Sequence, residues 1–336
     1  MIWIVWRQQR SIFFAFVLAA VALSAWMLIS GRHEQSLWTQ YLAAPCKGGF
    51  AISKSDAGIC RQLQSSVYGS GVQQNDLLTV ICAIFAPLFG LILGVNAVAR
   101  ELELKTNRLA WTQSGSRTRW LAGKYLVGAA SMAIVLVPLC FVFSWWVDAS
   151  HDGTRLSSKA FPISGFAEIG YGVFCFVLAV AIGFLIRRAG WSLAVGVILF
   201  AAIFITFGSQ VRLNLVSPKV AMFQTIQVVK GSSSGFYSSG GPPANSLFVS
   251  QGFEPITTKG IPSKAVMTSS TNAVYRCESG RHQESYCAQH LRLRSIEVYI
   301  PDSHFWTLQG LETGFYLILA ALLAALSFLG VRRSEA

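Results

Sequence analysis

The sequence predicts an all-α polytopic membrane protein with six transmembrane helices and with both termini in the cytoplasm. Of its 336 residues, 53% are hydrophobic and only 12% are charged, whereas about 25% of the residues of a soluble domain are charged. Six apolar runs are long enough to cross about 30 Å of hydrocarbon. The basic residues that flank these runs assign a consistent alternating orientation to all six.

Each predicted span is an apolar run of about 20 residues or more. The spans are residues 11–30, 77–98, 121–147, 166–186, 191–208 and 311–331. A secretory signal would have a shorter apolar region followed by a cleavage site, so we interpret the first run as an uncleaved anchor.

The connections between the spans differ in charge. Residues 99–126 carry six Lys or Arg and form a charged stretch between two apolar runs. Short cytoplasmic loops are enriched in Lys and Arg, so the cytoplasmic segments are predicted to be 1–10, 99–120, 187–190 and 332–336. The segments predicted to lie outside are 31–76, 148–165 and 209–306.

The long segment 209–306 has a different composition from the spans. Residues 231–243 are rich in Gly, Ser and Pro, which is typical of a loop. Residues 291–300 alternate apolar and polar side chains, which predicts a β-strand. We therefore expect an extracellular insert of mixed β and irregular structure between the fifth and sixth spans.

The cysteines agree with this topology. Three of the seven lie in spans, where a thiol acts as a small apolar group: Cys82, Cys140 and Cys175. The other four form two pairs in outside segments, where disulfides persist: Cys46 with Cys60, and Cys277 with Cys287. A zinc site that combines the second pair with His282 and His290 is the alternative. Its spacing does not match the usual arrangement, and we predict no metal site.

Several function classes lack their usual signals. The formal net charge of +12 is explained largely by basic residues beside the spans, and no nucleic-acid-binding motif accompanies them. No hydrolase motif and no phosphate-binding loop occurs, so an ATPase that drives this protein would be another chain. Asp76, Glu168 and Glu312 fall at the outer ends of spans, and no carboxylate falls near a span centre, which argues against a proton-driven transporter.

Two cytoplasmic stretches are candidate functional surfaces. At the N-terminus, Trp3, Trp6, Arg7 and Arg10 follow helical spacing before the first span. This pattern predicts an amphipathic elbow helix on the inner leaflet, and the alternative is that these residues are the fringe of the span. Residues 99–120 predict either a solvated loop or a docking surface, since mixed charges flank an aromatic residue.

Three stretches resemble ABC-2 type transporter permeases, particularly small stand-alone permeases of an actinobacterial branch. They are Arg100-Glu101-x-Glu103-x-x-Thr106-x-Arg108-Leu109-Ala110-Trp111-Thr112-Gln113-Ser114, then Trp6-Arg7-Gln8-x-Arg10, and the approach to the last span from Tyr299 to Gly314. One departure is Lys105, where that family usually has Gly before the loop threonine.

The resemblance implies a half-transporter of the bacterial plasma membrane. Two permease copies, identical or closely paralogous, would pair in the bilayer, and two ABC ATPase subunits would bind ATP and Mg below them. The permease itself would hold no cofactor and catalyse no reaction. The expected function is export of hydrophobic or amphipathic compounds such as a drug, antibiotic, lipid or peptide. The alternative is a membrane-anchored sensor or assembly factor with a ligand-binding extracellular domain.

The resemblance also assigns roles to residues. The coupling loop that contacts the ATPase would use Arg100, Glu101, Glu103, Thr106, Arg108 and Trp111. The path of the substrate would follow the second and fifth spans, and its candidate residues are Phe85, Phe89, Asn96, Phe200 and Phe204.

Overall fold

The computed structural model describes most of the chain. The described residues are 2–44, 46–47, 50–51, 57–68, 76–104, 116–150, 154–223, 243, 245–256, 264–278, 287 and 290–333. They form two compact units, a helical unit of Met1–Leu213 with Trp306–Ala336, and a smaller unit of Asn214–Phe305.

The helical unit contains six helices long and apolar enough to cross a membrane, as the hydropathy predicts. These helices are α1 (Ile2–Ala43), α3 (Asp76–Gly94), α5 (Arg117–Ala149), α6 (Ala167–Ile186), α7 (Ala189–Thr206) and α9 (Phe305–Arg333). Two short helices, α2 (Ala57–Tyr68) and α4 (Arg100–Glu103), and a two-residue hairpin, β1 (Cys46–Lys47) with β2 (Phe50–Ala51), complete the unit.

Helix α1 is much longer than the predicted first span. Residues 2–10 are its first turns and are continuous with the rest of the helix, and its last turns occupy residues 31–43 of the predicted outside loop. The physical reason is that residues 1–30 contain no Gly or Pro, and the single Gly31 does not interrupt the helix.

The centre of the helical unit is the close contact of α3 with α6. A Cβ atom added at Gly90 would overlap the carbonyl oxygen of Gly172, and one added at Gly94 would lie 2.8 Å from the Cβ of Ala179. Glycine therefore allows the two helix backbones to approach each other. Helix α5 also packs on α6, whereas α1, α7 and α9 leave more of their apolar side chains exposed.

Two of the long helices end in π-helical segments. The first π segment, Val95–Ala99, connects α3 to α4, and the second π segment, Phe207–Val211, extends α7. A π turn replaces the ordinary i to i−4 hydrogen bonds, and such segments are frequent at functional sites. In this protein each π segment is followed by a charged residue, Arg100 or Arg212.

The two ends of α6 are shaped differently. Before it, residues 154–166 form turns whose apolar side chains are buried, among them Leu156, Phe161 and Ile163. After it, Arg187 adopts a left-handed conformation with φ 52°, and α7 begins two residues later. We call the end of the helical unit where α6 ends and α4 lies the loop end, and the other end the opposite end.

In its described residues, the smaller unit is a three-stranded antiparallel sheet with one α-helix. The strands are β3 (Lys219–Phe223), β4 (Leu247–Pro255) and β5 (Leu293–Ile300), with β5 in the centre. The expectation for this segment omitted helix α8 (Lys264–Glu278), which packs on β4. The omission has a physical reason: α8 is a polar amphipathic helix, and its apolar face becomes apparent only against the sheet.

Candidate functional site

The loop end brings together the ends of four helices. Helix α4 continues α3 beyond the first π segment, and Ser116 begins α5 by accepting a hydrogen bond from the backbone N–H of Arg119 at 3.2 Å. Residues 105–115 between them lie outside the described residues. Of the predicted docking residues, Thr106, Arg108 and Trp111 fall in that gap, so the structure places only the first three.

Glu101 forms a buried ion pair with Lys124 of α5. The Nζ atom of Lys124 lies 2.6 Å from Glu101 Oε1, and it also donates to the carbonyl oxygen of Ala97 in the first π segment. The ring of Trp120 lies 4.7 Å from the same ammonium group. A buried charge requires such compensation because desolvation is costly. Lys124 therefore fixes the start of the predicted coupling loop to α5.

Glu103 contacts a different helix. Its Oε2 atom accepts a hydrogen bond of 2.9 Å from the backbone N–H of Ala189, the first residue of α7. The first N–H groups of a helix have no partner within it, and the helix dipole favours an anion there. Glu103 therefore connects the same short helix α4 to α7. The docking role predicted for Glu101 and Glu103 remains a prediction, and both have partners within the chain.

The first π segment also orients Arg100. Asn96 donates from Nδ2 to the carbonyl oxygen of Ile92 at 2.8 Å and accepts from Arg100 Nη1 at 3.1 Å. Asn96, which was assigned to the substrate path, thus holds Arg100 near the helix surface.

The predicted elbow residues lie on α1. Trp3 is 66% exposed, and the guanidinium of Arg7 lies 5.4 Å from its ring centroid. Trp6 contacts Phe13 with ring centroids 5.0 Å apart, and Arg10 is exposed. This pattern fits either interpretation of the N-terminus, as an interfacial segment or as the fringe of the span.

The four phenylalanines of the predicted path form two separate groups. Phe85 and Phe89 are buried and contact Phe16 of α1, with the Phe16 and Phe89 rings stacked at 4.5 Å. Phe200 and Phe204 instead contact Tyr171 of α6, at 6.1 and 5.4 Å. Because α3 is largely buried within its own chain and α7 is largely exposed, α7 is the one of these two helices that offers an open apolar face.

A second buried ionic cluster, at the opposite end, was not identified from the sequence. Arg212 donates from Nε and Nη2 to the two carboxylate oxygens of Glu312, at 2.8 Å each, and Tyr171 OH donates to Glu312 Oε1 at 2.5 Å. The guanidinium also lies 4.3 Å from the Phe161 ring centroid. The sequence signal that could have indicated this cluster is a basic residue just beyond the fifth span, Arg212, and an acidic residue at the start of the sixth, Glu312.

Gln309 supports the same end of α6. Its amide nitrogen donates to the carbonyl oxygens of Phe161 and Ser164, at 3.0 and 2.6 Å, and its amide oxygen accepts from the N–H of Ala167 at 2.8 Å. Helix α9 thereby holds both the first turn of α6 and the turns that precede it.

The cysteines of the predicted spans are free, and the described cysteines of the predicted outside segments are disulfide-bonded. Cys277 and Cys287 form a disulfide beside the small core of Phe253, Val274 and Leu293. Cys60 is disulfide-bonded as well, and the side chain of its predicted partner, Cys46, lies outside the described residues. Three cysteines of the spans are free and buried: Cys82, Cys140 and Cys175. Within the described part of the chain, no group of three or more His, Cys, Asp or Glu could hold a metal ion.

Comparison with known proteins identifies the family. The profile of the family described as ABC-2 membrane transporter related matches residues 17–212. No curated protein and no solved structure matches the chain. The family match covers more than half of the 336 residues, including five of the six long helices and the helices on either side of the predicted coupling loop. The chain is a multi-pass membrane protein and belongs to the ABC-2 membrane transporter related family.

Proposed function

We propose that this chain is the permease subunit of an ATP-driven exporter of hydrophobic or amphipathic compounds. ATP would be hydrolysed by a separate ABC ATPase, and residues 105–115 would contact that subunit from the cytoplasm. Two permease copies would pair in the membrane. The permease would have no catalytic activity of its own.

One observation carries the proposal beyond the family match. The short helix α4, which leads into residues 105–115, is bound to two other membrane helices through two acidic residues. Glu101 binds to α5, and Glu103 binds to α7. A displacement of the loop by an ATPase would therefore move α3, α5 and α7 together. Motions of this kind are shear and rigid-body movements of packed helices.

The exposed face of α7 supports an apolar or amphipathic substrate. This helix has exposed apolar side chains along its length, including Trp191, Ile198 and Ile205, and its Phe200 and Phe204 contact Tyr171. An apolar or amphipathic solute, or a second permease copy, is compatible with such a face. A strongly hydrated ion is not, because it would lose its hydration without gaining polar partners.

The test of docking uses two residues of the predicted docking set, Arg108 and Trp111, which lie outside the described residues. The permease is co-expressed with the ABC ATPase that we expect a neighbouring gene to encode, and the complex is isolated in detergent through a tag on the ATPase. Arg108→Glu combined with Trp111→Ala should abolish co-purification. Arg332→Glu is the matched control, since it reverses an exposed basic residue predicted to lie on the same side of the membrane. A complex that survives the double substitution would refute the docking role.

A further inference from the structure

A further buried carboxylate lies on helix α6, and its surroundings differ from those of Glu312 on α9. Glu168, the second residue of α6, is 1% exposed. Among the described residues, no hydrogen-bond donor reaches either of its carboxylate oxygens. Glu312, in contrast, receives three hydrogen bonds, from Arg212 and Tyr171. Among the described residues, an arginine thus neutralises Glu312 and a lysine neutralises Glu101, whereas no cation forms a hydrogen bond with Glu168.

The helix registers show what surrounds Glu168. One turn further along α6, Gly172 lies against Ala86 of α3 and Leu136 of α5. Residues four apart lie on the same face of a helix. Glu168 lies one helical turn from Gly172 towards the opposite end. In the same direction, Cys82 lies one turn from Ala86 on α3, and Cys140 lies one turn from Leu136 on α5. These three residues therefore lie at the same level of the helical unit.

Among the described residues, the neighbours of Glu168 on α3 and α5 are uncharged. The helix registers place the thiols of Cys82 and Cys140 beside its carboxyl group. The Cys140 thiol already donates to the carbonyl oxygen of Gly165 at 2.8 Å. On α9, Glu312 is paired with Arg212, and in the segment before α6 the charged residues are Arg155 and Lys159, which are partly exposed. Neither of these two basic groups forms a hydrogen bond to Glu168.

An ionised carboxylate in this position would be very unfavourable. Burial of a charge without a partner costs far more than burial of the neutral acid, so such a group is neutralised instead. The N-terminal end of α6 favours an anion, but a helix dipole is a weak effect. It is too small to offset the loss of hydration of a fully buried carboxylate.

We propose that Glu168 is a proton-binding site of the membrane domain, occupied in the conformation described here and emptied only when water reaches the junction of α3, α5 and α6. The ligand is a proton and not a metal ion, because two thiols and one carboxyl group do not form a metal cluster among the described residues. Residues 160–165, which lead into α6, are buried, and the carbonyl oxygen of Gly165 contacts the Cys140 thiol at this junction. These turns would limit the access of water to Glu168.

The consequence for transport rests on the proposed function. A conformational change that opens this end of the permease would hydrate Glu168, and the neutral acid would release its proton to water and become a carboxylate. Closure would require a proton to return. Export would then be accompanied by proton exchange at Glu168 in each cycle, although ATP supplies the energy.

Infrared spectroscopy tests the occupancy directly. The purified permease in lipid nanodiscs at neutral pH should show the C=O stretching band of a protonated carboxylic acid, and Glu168→Gln should remove it. Glu103→Gln, which changes an exposed carboxylate, should leave the band in place. If Glu168→Gln does not fold, Glu168→Asp serves instead and should shift the band. Absence of the band in the unsubstituted protein, or its persistence in Glu168→Gln, would overturn the proposal.

Exchange into heavy water tests the occlusion. The band should shift slowly to the frequency of the deuterated acid in the resting permease, because water does not reach the group. It should shift several-fold faster in the permease–ATPase complex while ATP is hydrolysed. Immediate exchange in the resting protein would contradict an occluded site. An isolated permease that shows the band but does not bind an ATPase would refute the proposed function and leave the proton site intact.

Discussion

Lys124 holds Glu101 at 2.6 Å in a buried position, and this pair connects the beginning of the predicted coupling loop to helix α5. Removal of one member of a buried ion pair leaves an uncompensated charge, which costs about 3–5 kcal/mol. We therefore expect Lys124→Met to lower the free energy of unfolding by about that amount, measured by thermal or denaturant unfolding in detergent. The double variant Lys124→Met with Glu101→Met should recover most of the loss. Additive losses would show that the two residues do not interact.

The contact of Glu103 with the start of α7 offers a test of coupling. Glu103 is exposed, so we expect Glu103→Gln to have little effect on stability. Gln keeps an oxygen that can accept from the N–H of Ala189 but removes the negative charge that the N-terminus of α7 favours. The contact is therefore weakened, and substrate should stimulate ATP hydrolysis less. Arg117→Gln, which removes a charge at the other border of the loop, is the control. Full stimulation in Glu103→Gln would rule out this route.

The second ionic cluster can be tested by small substitutions. Tyr171→Phe removes one hydrogen bond to the carboxylate of Glu312 and keeps the ring. Hydrogen bonds to charged groups contribute about 1.5–3 kcal/mol, so the melting temperature should fall, measured by differential scanning fluorimetry. Tyr275→Phe is the control, because that tyrosine is exposed in the smaller unit. Equal melting temperatures for the two variants would contradict the assigned role of Tyr171.

The contact between α3 and α6 depends on glycine. Gly90→Ala places a methyl group against the backbone of Gly172, and overpacking of this kind costs typically about 1–3 kcal/mol. Gly123→Ala is a matched control on α5, since no atom lies within 4 Å of the added methyl group. It should be neutral or slightly stabilising, as alanine is the better helix former. The two variants are compared by yield and by unfolding in detergent.

The disulfide of the smaller unit is expected to secure helix α8. Non-reducing mass spectrometry should find a peptide that links Cys277 to Cys287, and another that links Cys46 to Cys60. Closing a loop of this size stabilises by roughly 3 kcal/mol, so Cys277→Ala with Cys287→Ala should increase proteolysis within residues 256–290. Free thiols at all four positions would show that both pairings are wrong.

The sequence alone determined the membrane-spanning plan. Hydropathy is a local property, and about 20 consecutive apolar residues suffice to identify a span wherever it packs. For the same reason the strand at Leu293–Ile300 and the cysteine pair Cys277 and Cys287 were found from alternation and position. Hydropathy did not determine where the helices end. Helix α1 extends beyond both ends of its apolar run because nothing in the flanking residues interrupts a helix.

Only the tertiary structure decided which charges meet. Glu101 and Lys124 are 23 residues apart, and Arg212 and Glu312 are 100 residues apart, so their pairing depends on the rotation and register of whole helices. The sequence placed Glu168 and Glu312 alike, as acidic residues at the ends of spans. Packing gave Glu312 an arginine and Glu168 two thiols, and this difference in neighbours makes one carboxylate part of an ion pair and the other a site for a proton.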